Sequence, residues 1–102
     1  MNNSVIKRIN TNEKRLDNIK KCLDNMLQDT ATFLNLKKDL VGINKYYGSK
    51  EWFKDREFYD KERLSIKAGV LSEDGIWNTL EELEELKIEL EKVINQIDSL
   101  NK

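Results

Sequence analysis

The sequence predicts an all-α fold in which two long antiparallel helices form a coiled-coil-like hairpin, with a short helix and a connector at the elbow. Three observations carry this. Apolar residues recur at three- and four-residue steps on both sides of an aromatic stretch, the chain contains no proline and only four glycines, and 36% of its residues are charged with a net of −1. At 102 residues the chain reads as a single domain with a small core.

Ser4 offers a cap for helix one, whose apolar positions include Ile9, Leu16, Ile19, Leu23, Met26, Leu27, Phe33, Leu34, Leu40 and Val41. With Leu16 and Leu23 at a, positions d hold Ile19, Met26, Phe33 and Leu40, and the e positions widen the stripe. Asn12, Thr30 and Lys37 interrupt it. Asn12 is read as lying near a frayed end and Lys37 as extending its stem to water; a role in pairing register is the alternative. Nothing stops the helix before about Tyr46, although Gly42 weakens it by about 1 kcal/mol. Helix one is therefore expected over 4–46, roughly 60 Å of rod. Gly48 suits the left-handed residue that ends it, and Ser49 the next cap.

The elbow, 46–77, carries seven of the eight aromatic residues. A short helix is expected over about 50–62, with Glu51 near its positive end and with Trp52 and Phe53 turned inward. Residues 64–71 form a connector, extended or a single turn. Ser72, followed by Glu73 and Asp74, starts the last helix, expected over 73–101. Its heptad has Ile76, Leu83, Leu90 and Ile97 at a, and Thr79, Leu86, Val93 and Leu100 at d. Residues 1–48 carry nine basic and five acidic side chains, a balance of +4, and residues 72–102 three and nine, a balance of −6. That asymmetry favours placing the basic helix beside the acidic one.

The candidate sites are few. The chain has no histidine, which removes the usual general base and the commonest metal ligand. Glu81, Glu82, Glu84 and Glu85 all fall outside the a and d seam, so the acidic run reads as a solvated helix face rather than a carboxylate site. No catalytic residue, cofactor or metal is expected, and the chain reads as a non-enzyme. Cys22, the single cysteine, reads as a small buried or half-buried hydrophobe and suits a reducing, cytoplasmic setting. No signal-length apolar run opens the chain, and no window approaches the roughly 20 apolar residues that span a bilayer.

Two surfaces stand out. Tyr46, Tyr47, Trp52, Tyr59 and Trp77 mainly close the hairpin, and one or two of them could also face a partner, since tyrosine and tryptophan are enriched at binding hot spots. Lys7, Arg8, Lys14, Arg15, Lys20 and Lys21 form a basic stripe along helix one. A solvated face partly paired with Glu13, Asp17 and Asp24 is the plainer reading, and contact with nucleic-acid phosphates the sharper one. An interaction module, an adaptor or inhibitor of another protein, is the leading expectation for function. A self-associating homodimer paired through the a and d seams is one alternative, and nucleic-acid binding along the stripe the other.

The motif Tyr46-Tyr47-Gly48-Ser49-x-Glu51-Trp52, followed by Lys67-x-Gly69-Val70-Leu71-Ser72-Glu73-Asp74-x-Ile76-x-Asn78-x-Leu80, resembles the small bacterial proteins grouped as domain of unknown function 4298. The resemblance is carried by about residues 40–85. It implies a shared fold and no particular activity.

Overall fold

The computed structural model describes residues 2–101. Among them are four α-helices and no strand: α1 (Asn3–Leu34), α2 (Lys37–Tyr46), α3 (Lys50–Glu62) and α4 (Glu73–Ser99), with one 3-10 turn at Gly69–Leu71. The all-α expectation holds. The chain divides after Val41 into two units.

In the first unit α1 begins at Asn3, one residue before the expected start. Asn2 precedes it without a side-chain cap, so Ser4 is a helical residue and not the cap. No side chain of α1 is buried.

Helix one does not run unbroken from 4 to 46. Near Asn35 the ladder tightens: the Asn35 N–H is shared between the carbonyls of Ala31 and Thr32, both at 3.2 Å, and the Leu36 N–H turns to Phe33 at 3.0 Å. The residues just before the break are weak helix formers, Asp29, Thr30 and Thr32 among them. Thr32 also donates its hydroxyl to the Gln28 carbonyl at 3.0 Å, a back-bond that tends to bend helices. The helix then resumes, with the Leu40 N–H reaching the Leu36 carbonyl at 2.9 Å.

The second unit begins inside α2, which ends as expected. Gly48 takes φ +76°, where a side chain would be strained, and the Ser49 N–H closes back onto the Tyr46 carbonyl at 3.0 Å. Ser49 then caps α3, accepting the Trp52 N–H at 3.1 Å. Arg63 ends α3 in the left-handed region, φ 49° and ψ 53°, with its N–H on the Tyr59 carbonyl. A non-glycine residue there costs about 1–2 kcal/mol, which the surrounding contacts must offset.

The connector is irregular except for its single 3-10 turn, which Ser72 ties to α4. The Ser72 hydroxyl donates to the Gly69 carbonyl at 2.9 Å and accepts the Gly75 N–H at 2.9 Å. Gly75 is required by this junction. A Cβ there would lie 2.6 Å from the Gly69 carbonyl oxygen and 2.7 Å from the Ser72 Oγ. Past it, α4 runs for 27 residues with Glu73 and Asp74 at its positive end.

Two side chains form the buried core among the described residues, Trp52 and Ile76, each 4% exposed. They join α3, the 3-10 turn and the start of α4. Phe53 is not part of this core; it is 58% exposed. Consecutive helical residues point about 100° apart, so Trp52 and Phe53 cannot both face one narrow core.

Candidate functional site

Trp52 is the centre about which the aromatic stretch is built. Its indole N–H donates to the Val70 carbonyl at 2.8 Å, tying α3 to the 3-10 turn. The Tyr47 and Phe53 rings meet its ring edge-on, with centroids 5.3 Å and 4.9 Å away. One turn further along α3, the Arg56 guanidinium lies 5.4 Å from the Trp52 ring centre and bridges to Glu73 of α4 at 3.1 Å. The buried ring therefore touches a ring on each side and a cation that is itself anchored to the next helix.

Tyr46 holds a second link within this unit. Its hydroxyl donates to Asp55 at 2.6 Å. That hydrogen bond, helped by partial burial and by the carboxylate charge, pushes the Tyr46 hydroxyl up to about 12. Tyr46, Asp55, Phe58, Tyr59 and Ile66 line an open cavity of about 250 Å³. A wider apolar recess of about 410 Å³ lies between Ile43, Val70, Ile76 and Thr79, with Lys67 as its charged member.

The expected aromatic site therefore separates into parts. Trp52 is withdrawn from solvent and cannot face a partner; Tyr46, Tyr47 and Tyr59 are half-buried, and of these Tyr47 packs against it. Trp77 is 54% exposed, because its neighbour Ile76 takes the inward position. Asp55, Glu73 and the Val70 carbonyl complete the cluster; the sequence pointed to Glu73 as a helix-start residue and to none of the three as a partner of the rings. Arg56 carried the one usable signal, a cation four residues after a tryptophan on the same helix face.

On α1 the apolar row from Val5 through Ile9, Leu16, Ile19 and Leu23 is exposed along its whole length, Leu16 by 51%. Lys7, Arg8, Lys14, Arg15, Lys20 and Lys21 are all exposed as well. Among the described residues the ion pairs are Arg56 with Glu73 and Lys92 with Glu89, so the expected pairing of the basic stripe with Glu13, Asp17 and Asp24 is not made. Arg15 instead donates to Asn12 at 3.2 Å, while Asn12 donates to the Arg8 carbonyl at 2.8 Å. Asn12 is thereby satisfied within α1, well inside the helix rather than at a frayed end.

Cys22 is exposed, with its thiol 3.8 Å from the Met26 sulfur, and neither buried nor half-buried as its place beside the stripe suggested. The cause is the open α1 face, which leaves nothing to cover a flanking position. Glu81, Glu82, Glu84 and Glu85 are exposed along α4. No described helix is long and apolar enough to cross a membrane.

These features define a class: an all-α protein with a tryptophan-centred turn and long helices whose apolar rows meet solvent. The family model described as "Domain of unknown function (DUF4298)" matches residues 9–99, and the chain belongs to that family. The match takes in the two motifs of the aromatic stretch and most of both long helices. Neither a curated protein nor a solved structure matches the chain.

Proposed function

We propose that this protein is a small interaction module, an adaptor or inhibitor that acts inside the cell by binding a protein chain and catalyses no step of its own. The observation that carries the reading is the exposed apolar row of α1, from Val5 to Leu23. An apolar row of that length on a helix, interrupted only by Asn12, favours burial against another surface, and soluble chains rarely leave such rows open without a binding role. Recognition of a helical face through anchors three, four and seven residues apart is a common mode of protein binding. Half-buried Tyr46, Tyr47 and Tyr59 then act chiefly to hold the turn, and of the five expected rings Trp77 is the exposed one that can touch a partner.

The test compares capture from native lysate by the wild-type chain and by a Leu16→Asp, Leu23→Asp variant. Retention of specific protein by the first and its loss in the second, with helicity by circular dichroism unchanged, is the expected result. Equal capture by both removes α1 as the binding face. If the retained material is nucleic acid, released by moderate salt and dependent on Lys14 and Lys21 rather than Leu16, the basic stripe is the binding surface instead.

A further inference from the structure

The smaller cavity of the second unit is lined by groups that the packing around Trp52 leaves free. Asp55, Phe58 and Tyr59 stand three and four residues apart on α3 and so share one face of it. Tyr46, the last residue of α2, reaches that face through its 2.6 Å bond to Asp55, and Ile66 of the connector supplies an apolar wall. Three aromatic rings and one carboxylate therefore border a single open space of about 250 Å³. Phe58 is 56% exposed, so its ring has no part in the buried core.

The electrostatics of this space favour a positive guest. Aromatic rings attract cations through the negative potential of their faces, and a carboxylate adds a full charge. Tyr46 meets Asp55 as a neutral donor, and among the described residues the ion pairs are Arg56 with Glu73 and Lys92 with Glu89, so no cation neutralises Asp55. The cavity adjoins the carboxyl end of α3, the negative end of the helix dipole. Lys67, the basic residue of the lining, is exposed and makes no ion pair with Asp55; its long stem lets the ammonium stand in water. A compact ammonium holds its water tightly, whereas an alkylated one spreads its charge over apolar surface that the rings and Ile66 can cover.

We propose that this cavity binds an alkylated ammonium group, held by the rings of Tyr46, Phe58 and Tyr59 and by the charge of Asp55. The head group is what the site recognises, and it is the same on a small free cation as on a methylated lysine of another protein. No residue of the site belongs to α1, so it fills whether or not the α1 face has a partner. Lys67 weakens the site, because a second cation in the lining repels the guest. An anionic guest reverses that sign, which makes Lys67 the residue that tells the two apart.

The experiment titrates choline into the full chain at constant ionic strength and follows the ring proton resonances of Tyr46, Phe58 and Tyr59. These should shift saturably with choline and stay unmoved by dimethylbutanol, its neutral isostere with carbon in place of the ammonium nitrogen. Asp55→Asn should weaken choline binding by about tenfold, and Phe58→Leu by a smaller factor. Lys67→Met should strengthen it. Circular dichroism checks the fold of each variant, and if Asp55→Asn does not fold, Phe58→Leu and Lys67→Met, both at exposed positions, carry the test through their opposite signs. A peptide bearing trimethyllysine separates the sources: tighter binding than choline assigns the head group to a protein, weaker or equal binding to a free cation, and either upholds the site. Equal binding of choline and dimethylbutanol overturns the proposal by leaving only an apolar pocket. So does a Lys67→Met chain that binds choline more weakly, or the absence of saturable shifts with choline and peptide alike at tens of millimolar.

Discussion

Residues 46–77 hold both buried side chains of the described chain, whereas the 32 residues of α1 hold none despite the row of large apolar side chains along them. The two regions differ in how many elements converge. Around Trp52 a helix, a 3-10 turn and a helix start meet within about 30 residues, so one indole is reached from several sides at once. A helix alone covers only its own backbone and leaves its apolar row half open. Apolar content therefore marks a core in the first region and an open surface in the second, and burial rather than hydrophobicity tells them apart.

The contrast can be broken most directly at its centre. Trp52→Ala removes the largest buried side chain together with its bond to Val70 and should cost about 3–5 kcal/mol, seen as loss of near-ultraviolet dichroism and a lowered denaturation midpoint. Leu27→Ala on the open flank of α1 should stay within about 0.5 kcal/mol of wild type. Similar effects from the two would mean that α1 has a core of its own.

Glycines sharpen the comparison next. Gly75→Ala drives a Cβ toward the Gly69 carbonyl and the Ser72 hydroxyl, and it should destabilise by about 1–3 kcal/mol by forcing the α4 cap apart. Gly42→Ala, in the interior of α2 with nothing within 4 Å of the new Cβ, should stabilise by about 0.5–1 kcal/mol through helix propensity. Urea denaturation of both variants reads the opposite signs.

The smallest effect belongs to Tyr46. Its hydroxyl is raised from the ordinary 10.0 to about 12 by the bond to Asp55, so the fold favours the protonated form. That contribution to stability is intact below about pH 10 and is lost as pH rises from 10 toward 12. In an ultraviolet titration one of the three tyrosines should ionise late, and Asp55→Asn should bring it down toward the ordinary value.

Much of this is legible in the sequence. Gly48 as the left-handed stop, Ser49 and Ser72 as caps, and a short helix over 50–62 all appear as expected, because each depends on side chains within three or four residues. The break at Asn35–Leu36 was missed, since the reading carried one helix from 4 to 46. It lacks glycine and proline, and its signal is a run of individually weak helix formers that only together loosen the ladder.

What local chemistry cannot reach is the choice between neighbours. That Trp52 is buried and Phe53 exposed depends on a carbonyl 18 residues away, and that Tyr46 titrates late depends on a carboxylate on the next helix. The amino-acid order was enough to say where α3 and α4 begin, which helix faces are apolar and how charge is shared between them, since periodicity and capping act over one or two turns. Which apolar face becomes core, and which stays open as α1 does, followed only from the folded chain, because burial is set by what the rest of the molecule brings alongside.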